Sequence, residues 1–134
     1  MHRSNHLFRL ATLVAAVALA ACGDSTAPKV DVSGQWILRA IDGVRVDAPP
    51  PAGVDVYIRV SEQLTLNPGG NFEDAVKNEY IQVAGGNVLD TVNDTLRGTW
   101  SYTGSTLHLV HDGLDELGGL IGDTLRVGTS AYTR

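Results

Sequence analysis

Residues 54–66 read VDVYIRVSEQLTL, and this stretch decides the fold class. Valine or isoleucine occupies every even position from Val54 to Val60, and Leu64 and Leu66 continue the same parity. The side chains between them are mostly polar. In a β-strand successive side chains point to opposite faces, so this alternation indicates a strand with one buried face. We therefore predict one long strand, bent if necessary, across residues 54–66.

Turn residues separate this strand from similar stretches further along the chain. Residues 67–71 (NPGGN) form a turn by composition, because proline fixes φ and glycine adopts positive φ, and Phe72 opens the return strand. Gly104 and Ser105 fit a two-residue hairpin turn. Residues 112–122 are broken by glycines, and we expect a loop there.

The whole pattern after residue 32 is that of an all-β domain. We count about seven or eight strands, nearly all joined by hairpins, with no long stretch of helical periodicity. Such strands either close into an up-and-down barrel or stack as a sandwich. We prefer a small antiparallel up-and-down barrel, because residues 131–134 (AYTR) can pair back with the first strand and remove both open edges.

The inward parity of these strands defines a predicted barrel core. Its principal members are Trp36, Leu64, Leu66, Phe72, Trp100, Leu107 and Leu109. The same parity points further apolar side chains inward: Val54, Val56, Ile58, Leu96, Tyr102 and Leu125. A barrel of about eight strands is just wide enough for side chains to fill. We therefore predict a mostly filled lumen, with any ligand small or bound at the rim.

The N-terminal residues have the pattern of an export signal. Residues 1–9 carry Arg3 and Arg9 without an acidic residue, and residues 10–21 are apolar except for Thr12. A basic segment followed by a short apolar run is typical of a signal peptide. Twelve helical residues rise only about 18 Å, which is well short of a ~30 Å hydrocarbon core. We therefore predict a cleaved signal rather than a membrane span.

The apolar run ends in Leu19-Ala20-Ala21-Cys22, which resembles the lipobox of bacterial lipoproteins. The resemblance implies cleavage before Cys22, a diacylglycerol on its thiol and a fatty acid such as palmitate on its amine. Two or more acyl chains give stable anchoring. Cys22 is the only cysteine of the chain, so it has no disulfide partner. The residue after Cys22 is Gly23 and not the aspartate that, in some enterobacterial lipoproteins, resembles a signal for retention in the inner membrane. In a cell with two membranes we therefore expect the protein in the outer membrane.

These patterns divide the chain into three segments. Residues 1–21 are the signal peptide, residues 22–31 a lipidated tether, and residues 32–134 the barrel domain. The formal net charge is −5, and removal of the signal makes it more negative by the two units of Arg3 and Arg9. An acidic domain is a poor candidate for nucleic acid. The expected membrane contact is therefore the lipid on Cys22.

Two tripeptides in the predicted barrel resemble a lipocalin motif. Residues 34–36 (GQW) match the Gly-x-Trp of lipocalin-like barrels, and residues 98–100 (GTW) repeat it. The resemblance implies that Trp36 closes one end of the barrel beneath an arginine of a late strand, either Arg126 or Arg134. It also implies an internal apolar ligand site, although a barrel of this size can equally be filled by its own side chains.

No pattern in the chain carries a strong catalytic or metal-binding signal. His108 and His111 are spaced so that a strand points them to opposite faces, which disfavours a shared metal ion. Two groups of acids and amides offer oxygen ligands on predicted loops, without the spacing of a calcium-binding loop: Asp90, Asn93 and Asp94, and then Asp112, Asp115 and Glu116. We expect solvated side chains there, and we expect no metal and no cofactor.

The function that these observations favour is a non-enzymatic binding or interaction domain on the cell envelope. Its expected partner is an envelope protein or a small hydrophobic ligand. A carrier that holds such a ligand in the barrel is the first alternative. A hydrolase of the envelope is a weaker one, because no nucleophile motif is present and no acid lies in an apolar sequence context that would raise its pKa.

We predict that Cys22 carries the lipid and is the first residue of the mature chain. Cells fed a labelled fatty acid should incorporate the label into the wild-type protein and not into a Cys22→Ser variant. Replacing Ser25 by Ala, three residues further on, is the matched control and should leave labelling unchanged. Label that persists in Cys22→Ser would contradict the assignment.

Overall fold

The computed structural model describes residues 29–49, 53, 55–82 and 86–134. The predicted signal peptide, Cys22 and most of the tether lie outside the described residues, as does Val54. The chain divides into two units, Met1–Val30 and Asp31–Arg134. Every strand that the structure describes belongs to the second unit. Among the described residues there is no helix long and apolar enough to cross a membrane.

The described residues of the second unit form nine antiparallel strands in a single sheet. Their bounds are β1 Gly34–Ile41, β2 Val44–Arg45, β3 Val56–Leu66, β4 Asn71–Gln82, β5 Asn87–Thr103, β6 Thr106–His111, β7 Leu114–Ile121, β8 Thr124–Val127 and β9 Ser130–Thr133. Neighbours in sequence are neighbours in the sheet from β3 to β9, and β1 pairs with both β3 and β9. The result is a closed eight-stranded up-and-down barrel with β2 as an extra strand, which confirms the predicted fold class.

Two-residue turns make most of this closure possible. Asp112 and Gly113 join β6 to β7 with φ angles of 48° and 79°, and positive φ at both positions is what a type I′ hairpin turn requires. The prediction of a loop over residues 112–122 is therefore wrong, because β7 occupies most of it. The predicted hairpin at Gly104 and Ser105 is confirmed, since Thr103 pairs with Thr106 across it.

A β-bulge at Val60 corrects the prediction for the longest alternating stretch. The register of β3 against β4 shifts between Arg59 and Ser61, so Val60 has no direct partner. A bulge inserts one residue and reverses the facing of everything beyond it. Val56 and Ile58 consequently lie on the face opposite to Leu64, and were wrongly predicted to point inward.

The barrel interior is an apolar core drawn from six of its eight strands and from the segment before β1. Its buried members are Val32, Trp36, Leu38, Leu64, Leu66, Phe72, Leu107, Leu109, Leu125, Val127 and Tyr132. Leu96, Trp100, Tyr102 and Leu120 are partly buried and pack against them. Side chains from opposite walls therefore meet in the lumen and fill it.

One end of the barrel is closed by a cation–π contact between the first and last parts of the chain. The guanidinium carbon of Arg134 lies 4.5 Å from the centre of the Trp36 ring, so of the two arginines considered, Arg134 has the predicted role. Arg134 also donates hydrogen bonds to the carbonyl oxygens of Asp31 and Ser33, at 2.7 and 3.2 Å. The Trp36 indole N–H donates to the carbonyl of Val32 at 2.9 Å.

We predict different costs for truncating the two tryptophans. Trp36 is 2% exposed, so Trp36→Ala should lower the free energy of unfolding by about 3–5 kcal/mol. Trp100 is only partly buried, with its indole N–H donating to the carbonyl of Asn67, so Trp100→Ala should cost about half as much. Urea denaturation of both variants provides the measurement. Equal costs would contradict the difference in burial.

Candidate functional site

A charged side chain lies inside the barrel, on the lumen face of β3. Glu62 is 3% exposed and is held by two partners. The guanidinium of Arg59 lies 2.5 Å from one carboxylate oxygen, and the hydroxyl of Tyr132 donates a hydrogen bond to the other. A buried carboxylate is tolerated only when it is paired and hydrogen-bonded in this way. Burial and the neighbouring Glu62 raise the pKa of the Tyr132 hydroxyl, so it stays a donor.

Asp74 brings a second carboxyl group to the same place from β4. Burial and the nearby Glu62 raise the pKa of Asp74 to about 7, against the opposing effect of Arg59. Its Oδ1 atom is buried without a hydrogen-bond partner in the described part of the protein. A carboxyl group in this position holds its proton far more readily than an exposed aspartate does.

The expectation that no acid lies in an apolar context was therefore wrong. Glu62 and Asp74 have the same parity as Leu64 and Phe72, so the alternation that identified the core also pointed these two acids inward. The rule that charged residues belong outside obscured this. Glu62 lies two residues from Leu64, and Asp74 lies two residues from Phe72, each at an inward position of its strand. An acid at such a position is the sequence signal that could have revealed them.

The two histidines face opposite sides of the barrel wall, as their spacing predicts. The Nδ1 atom of His108 lies 3.0 Å from the carboxylate of Asp115. The side chain of His111 is 8% exposed, with its Nε2 atom 3.2 Å from Glu116 and its ring edge-on to Phe72. Each histidine therefore has its own acidic neighbour.

The two acidic groups are not loop clusters. Asp90, Asn93 and Asp94 lie within β5, and Asp115 and Glu116 within β7, so the prediction that these five lie on loops is wrong. Asp112 does lie in a turn, the one between β6 and β7. Asp115 and Glu116 are next to each other in β7 and so point to opposite faces, whereas Asp90 and Asp94 share a face of β5 and lie four residues apart. Across the described ranges, no group of three histidine, cysteine or acidic residues is arranged to hold a metal ion.

The most conspicuous feature outside the core is a three-stranded extension of the barrel wall, here called the arm. It consists of residues 56–61 of β3, 77–82 of β4 and 87–93 of β5. The pairing of β1 with β3 covers only residues 63–66, and the pairing of β5 with β6 covers only residues 99–103. The arm strands pair with each other but not with the rest of the barrel. In the described structure, β5 therefore has an unpaired edge over residues 87–98.

Cross-strand contacts fix the inner face of the arm, which continues the lumen face. The rings of Tyr57 and Tyr80 are 4.8 Å apart, and the Tyr57 hydroxyl lies 3.5 Å from Asp90. Arg59 reaches the side-chain oxygen of Asn78 at 3.4 Å. Such directly opposed pairs stabilise a sheet that has no packed layer beneath it. The arm is thus an ordered surface.

The backbone amides along the β5 edge show which residues offer their polar groups to the outside. The amide of Trp100 donates to the carbonyl of Gly70, so even-numbered residues of β5 from Asp90 to Trp100, above the register shift at Leu89, direct their backbone groups toward β4. The amides of Thr91 and Thr95 donate instead to the carboxylates of Asp90 and Asp94, each at 2.8 Å. Odd-numbered residues from Thr91 to Arg97 therefore direct their N–H and C=O groups to the open edge. Two of these donors are covered by the chain's own aspartates.

A groove of about 420 Å³ lies on the wall formed by β7 and β8. Leu117 and Ile121 line it and are 56% and 66% exposed. Gly118 allows the two strands to come this close, because a Cβ there would meet the carbonyl oxygen of Arg126 at 2.4 Å. The groove is open to solvent and mostly apolar.

The predicted site residues divide clearly in this structure. Trp36, Leu64, Leu66, Phe72, Leu107 and Leu109 lie together in the buried core, whereas Trp100 lies at its margin. Cys22 lies outside the described residues.

In comparisons with known proteins, no family model matches this chain, and no curated protein or solved structure matches it.

We predict that the partly buried carboxyl group of Asp74 makes the fold less stable as the pH rises. Between pH about 4 and 7 the folded state keeps a proton that the unfolded state has released, so the free energy of unfolding falls over that range. Asp74→Asn cannot ionise. At pH 8 it should be more stable than wild type by on the order of 2 kcal/mol, after allowance for solvent screening.

Urea denaturation at pH 4 and pH 8 tests this. The variant and the wild type should differ little at pH 4. Asp123→Asn, in the exposed turn between β7 and β8, is the matched control and should not acquire this pH-dependent difference. A wild-type stability advantage over Asp74→Asn at pH 8 would show that the carboxylate is favourably placed.

Proposed function

We propose that this chain is a lipid-anchored protein of the cell envelope whose β-barrel is a non-enzymatic binding or interaction module. The anchor is supported by sequence: a basic and then apolar N-terminal segment, followed by a lipobox that ends in Cys22. On this proposal the lipid is the protein's attachment to the membrane, the outer one in a cell with two membranes, and nucleic acid is not a partner.

The observation that carries the interaction proposal is the filled lumen. Leu66, Leu107 and Leu125 have no exposed surface, and Trp36 and Leu38 are 2% exposed. Close packing at a density near 0.75 leaves no room for a molecule of drug or fatty-acid size. Recognition is therefore assigned to the outer surfaces, where the arm and the groove of β7 and β8 are two departures from a plain barrel.

A carrier of a small hydrophobic ligand is the second candidate, and the groove favours it. Its volume of about 420 Å³ lies within the usual range of about 300–1,000 Å³ for small-molecule sites. Its openness to solvent argues for a weakly held ligand, because a bound apolar chain would keep much of its surface in water. A carrier of this kind would load its ligand on the wall and not in the lumen.

The acidic pair of the lumen is the best argument for a hydrolase, and its geometry favours a structural role. Glu62 exposes 2% of its side chain, and both of its carboxylate oxygens are already engaged by Arg59 and Tyr132. A general acid or base must reach the substrate within hydrogen-bond distance. Glu62 would have to lose its partners to do so.

An environment-sensitive fatty-acid analogue, titrated into the full-length protein with Trp36 emission as the readout, tests the filled lumen. We expect no saturable binding at micromolar concentrations and no change in Trp36 emission, measured in a Trp100→Phe background. Saturable quenching of Trp36 would contradict the proposal and indicate an internal carrier site. Binding that leaves Trp36 unchanged and is lost in Ile121→Lys would place a carrier site in the groove.

A further inference from the structure

The unpaired edge of β5 is long enough to accept another strand. Residues 87–98 span about 40 Å at the ~3.3 Å rise of a strand, and residues 87–95 are all exposed. Within it, four residues of odd number from Thr91 to Arg97 direct their backbone groups outward. Each directs one N–H and one C=O group to this side, although the N–H groups of Thr91 and Thr95 are bonded to the chain's own aspartates. Strand addition to an open sheet edge is a recurrent mode of peptide recognition.

The edge also carries a defined side-chain pattern on the face of β5 that continues the lumen face. The register places Asp90 beside Tyr80, Val92 beside Asn78 and Asp94 beside Val76. The three β5 residues form an acid, apolar, acid sequence at alternate positions, and Val92 is 42% exposed. A strand added to this edge would set its own alternate side chains directly opposite these three. Opposite charges in that position attract, and like charges repel.

The carboxylates of Asp90 and Asp94 currently cover the amides of Thr91 and Thr95. This arrangement blunts the edge, as charged side chains commonly do on open strands. A cationic side chain on an incoming strand would draw each carboxylate away from its amide. The freed N–H would then bond to a carbonyl of the incoming strand. Charge pairing and strand pairing would therefore reinforce each other at the same two positions.

We propose that the β5 edge, residues 87–98, is a docking site for an extended segment of a partner protein with two basic side chains flanking an apolar one at alternate positions. This names the partner class of the interaction module, and it rests on that proposed function. The juxtaposition that carries it is an open row of backbone groups beside Asp90, Val92 and Asp94.

A second copy of the chain is a less suitable occupant. An antiparallel pair of β5 edges centred on Val92 would set Asp90 of one copy opposite Asp94 of the other. Both copies also carry a formal net charge of −5. Like charges directly opposite each other destabilise a strand pair. A second β5 edge would bring acidic residues to these positions, whereas a partner with basic residues would bring the opposite charge.

The test uses the full-length chain in mild detergent and an acetylated, amidated peptide of sequence Thr-Lys-Thr-Val-Thr-Lys-Thr. Binding is measured by titration, and hydrogen exchange of the Thr91, Asn93 and Thr95 amides is measured with and without peptide. We expect saturable binding and slower exchange at these amides. A peptide with glutamate in place of both lysines should bind at least tenfold more weakly. A lysine peptide with alternate backbone amides methylated should also lose at least tenfold.

Two variants separate strand pairing from simple charge attraction. Asp90→Asn with Asp94→Asn should abolish the preference for the lysine peptide over the glutamate peptide. Its matched control is Asp42→Asn with Asp123→Asn, which removes the same charge from turns between strands that do not pair with β5 and should keep the preference. Asn93→Pro removes one outward amide from the edge and should weaken binding of the lysine peptide at least tenfold, whereas Asn93→Ser should not.

Each contrary result overturns the proposal. Absence of binding, binding without slower exchange at the three amides, or equal loss in the control variant would each do so. A concentration-dependent dimer in sedimentation, lost in Asn93→Pro, would assign the edge to a second copy instead. Failure here leaves the lumen and anchor measurements of the proposed function unaffected, because those depend on Trp36 emission and on Cys22 labelling.

Discussion

The closure of the barrel through β1 is the constraint on which the rest of the structure depends. β1 pairs with β9 along one edge and with β3 along the other, so no open edge remains at this seam. Arg134 reinforces the seam by lying over Trp36 and bonding to the carbonyls of the segment that precedes β1. The packed lumen follows, because eight strands closed in this way enclose only enough space for their own side chains.

The same closure leaves the arm outside the barrel. The pairing of β1 with β3 uses residues 63–66 alone, while β3, β4 and β5 are much longer than their barrel neighbours. The surplus length cannot wrap around the core, and the bulge at Val60 marks where the wall leaves it. Beyond the bulge the inner face is lined by tyrosine, arginine and asparagine side chains. Polar and aromatic pairs there replace the apolar packing that the lumen supplies below.

Much of this fold could be predicted from alternation and turn chemistry, and the parts that could not have specific physical causes. Alternation identified the inward faces of Trp36, Leu64 and Leu107, and the strand-like residues 131–134 predicted that the barrel closes. It failed at Val60, because a bulge leaves no mark in a run of apolar residues with uniform parity. It failed at residues 112–122 for the opposite reason: Asp112-Gly113 is a strong hairpin signal that the surrounding glycines concealed.

The candidate interaction edge was missed because pairing is a property of neighbours and not of the strand itself. The acids at Asp90 and Asp94 were interpreted as loop residues, since aspartate and asparagine are rare inside paired strands. On an open edge aspartate is favourable, because its carboxylate can accept a hydrogen bond from an outward amide that has no neighbouring strand as a partner. A run of aspartate, threonine and asparagine within an otherwise alternating stretch is therefore a sequence feature of an unpaired edge. Aspartate and asparagine residues are unfavourable in a central strand, but they keep an exposed edge strand soluble. On the proposed docking edge, the same aspartates favour an incoming strand that carries basic side chains.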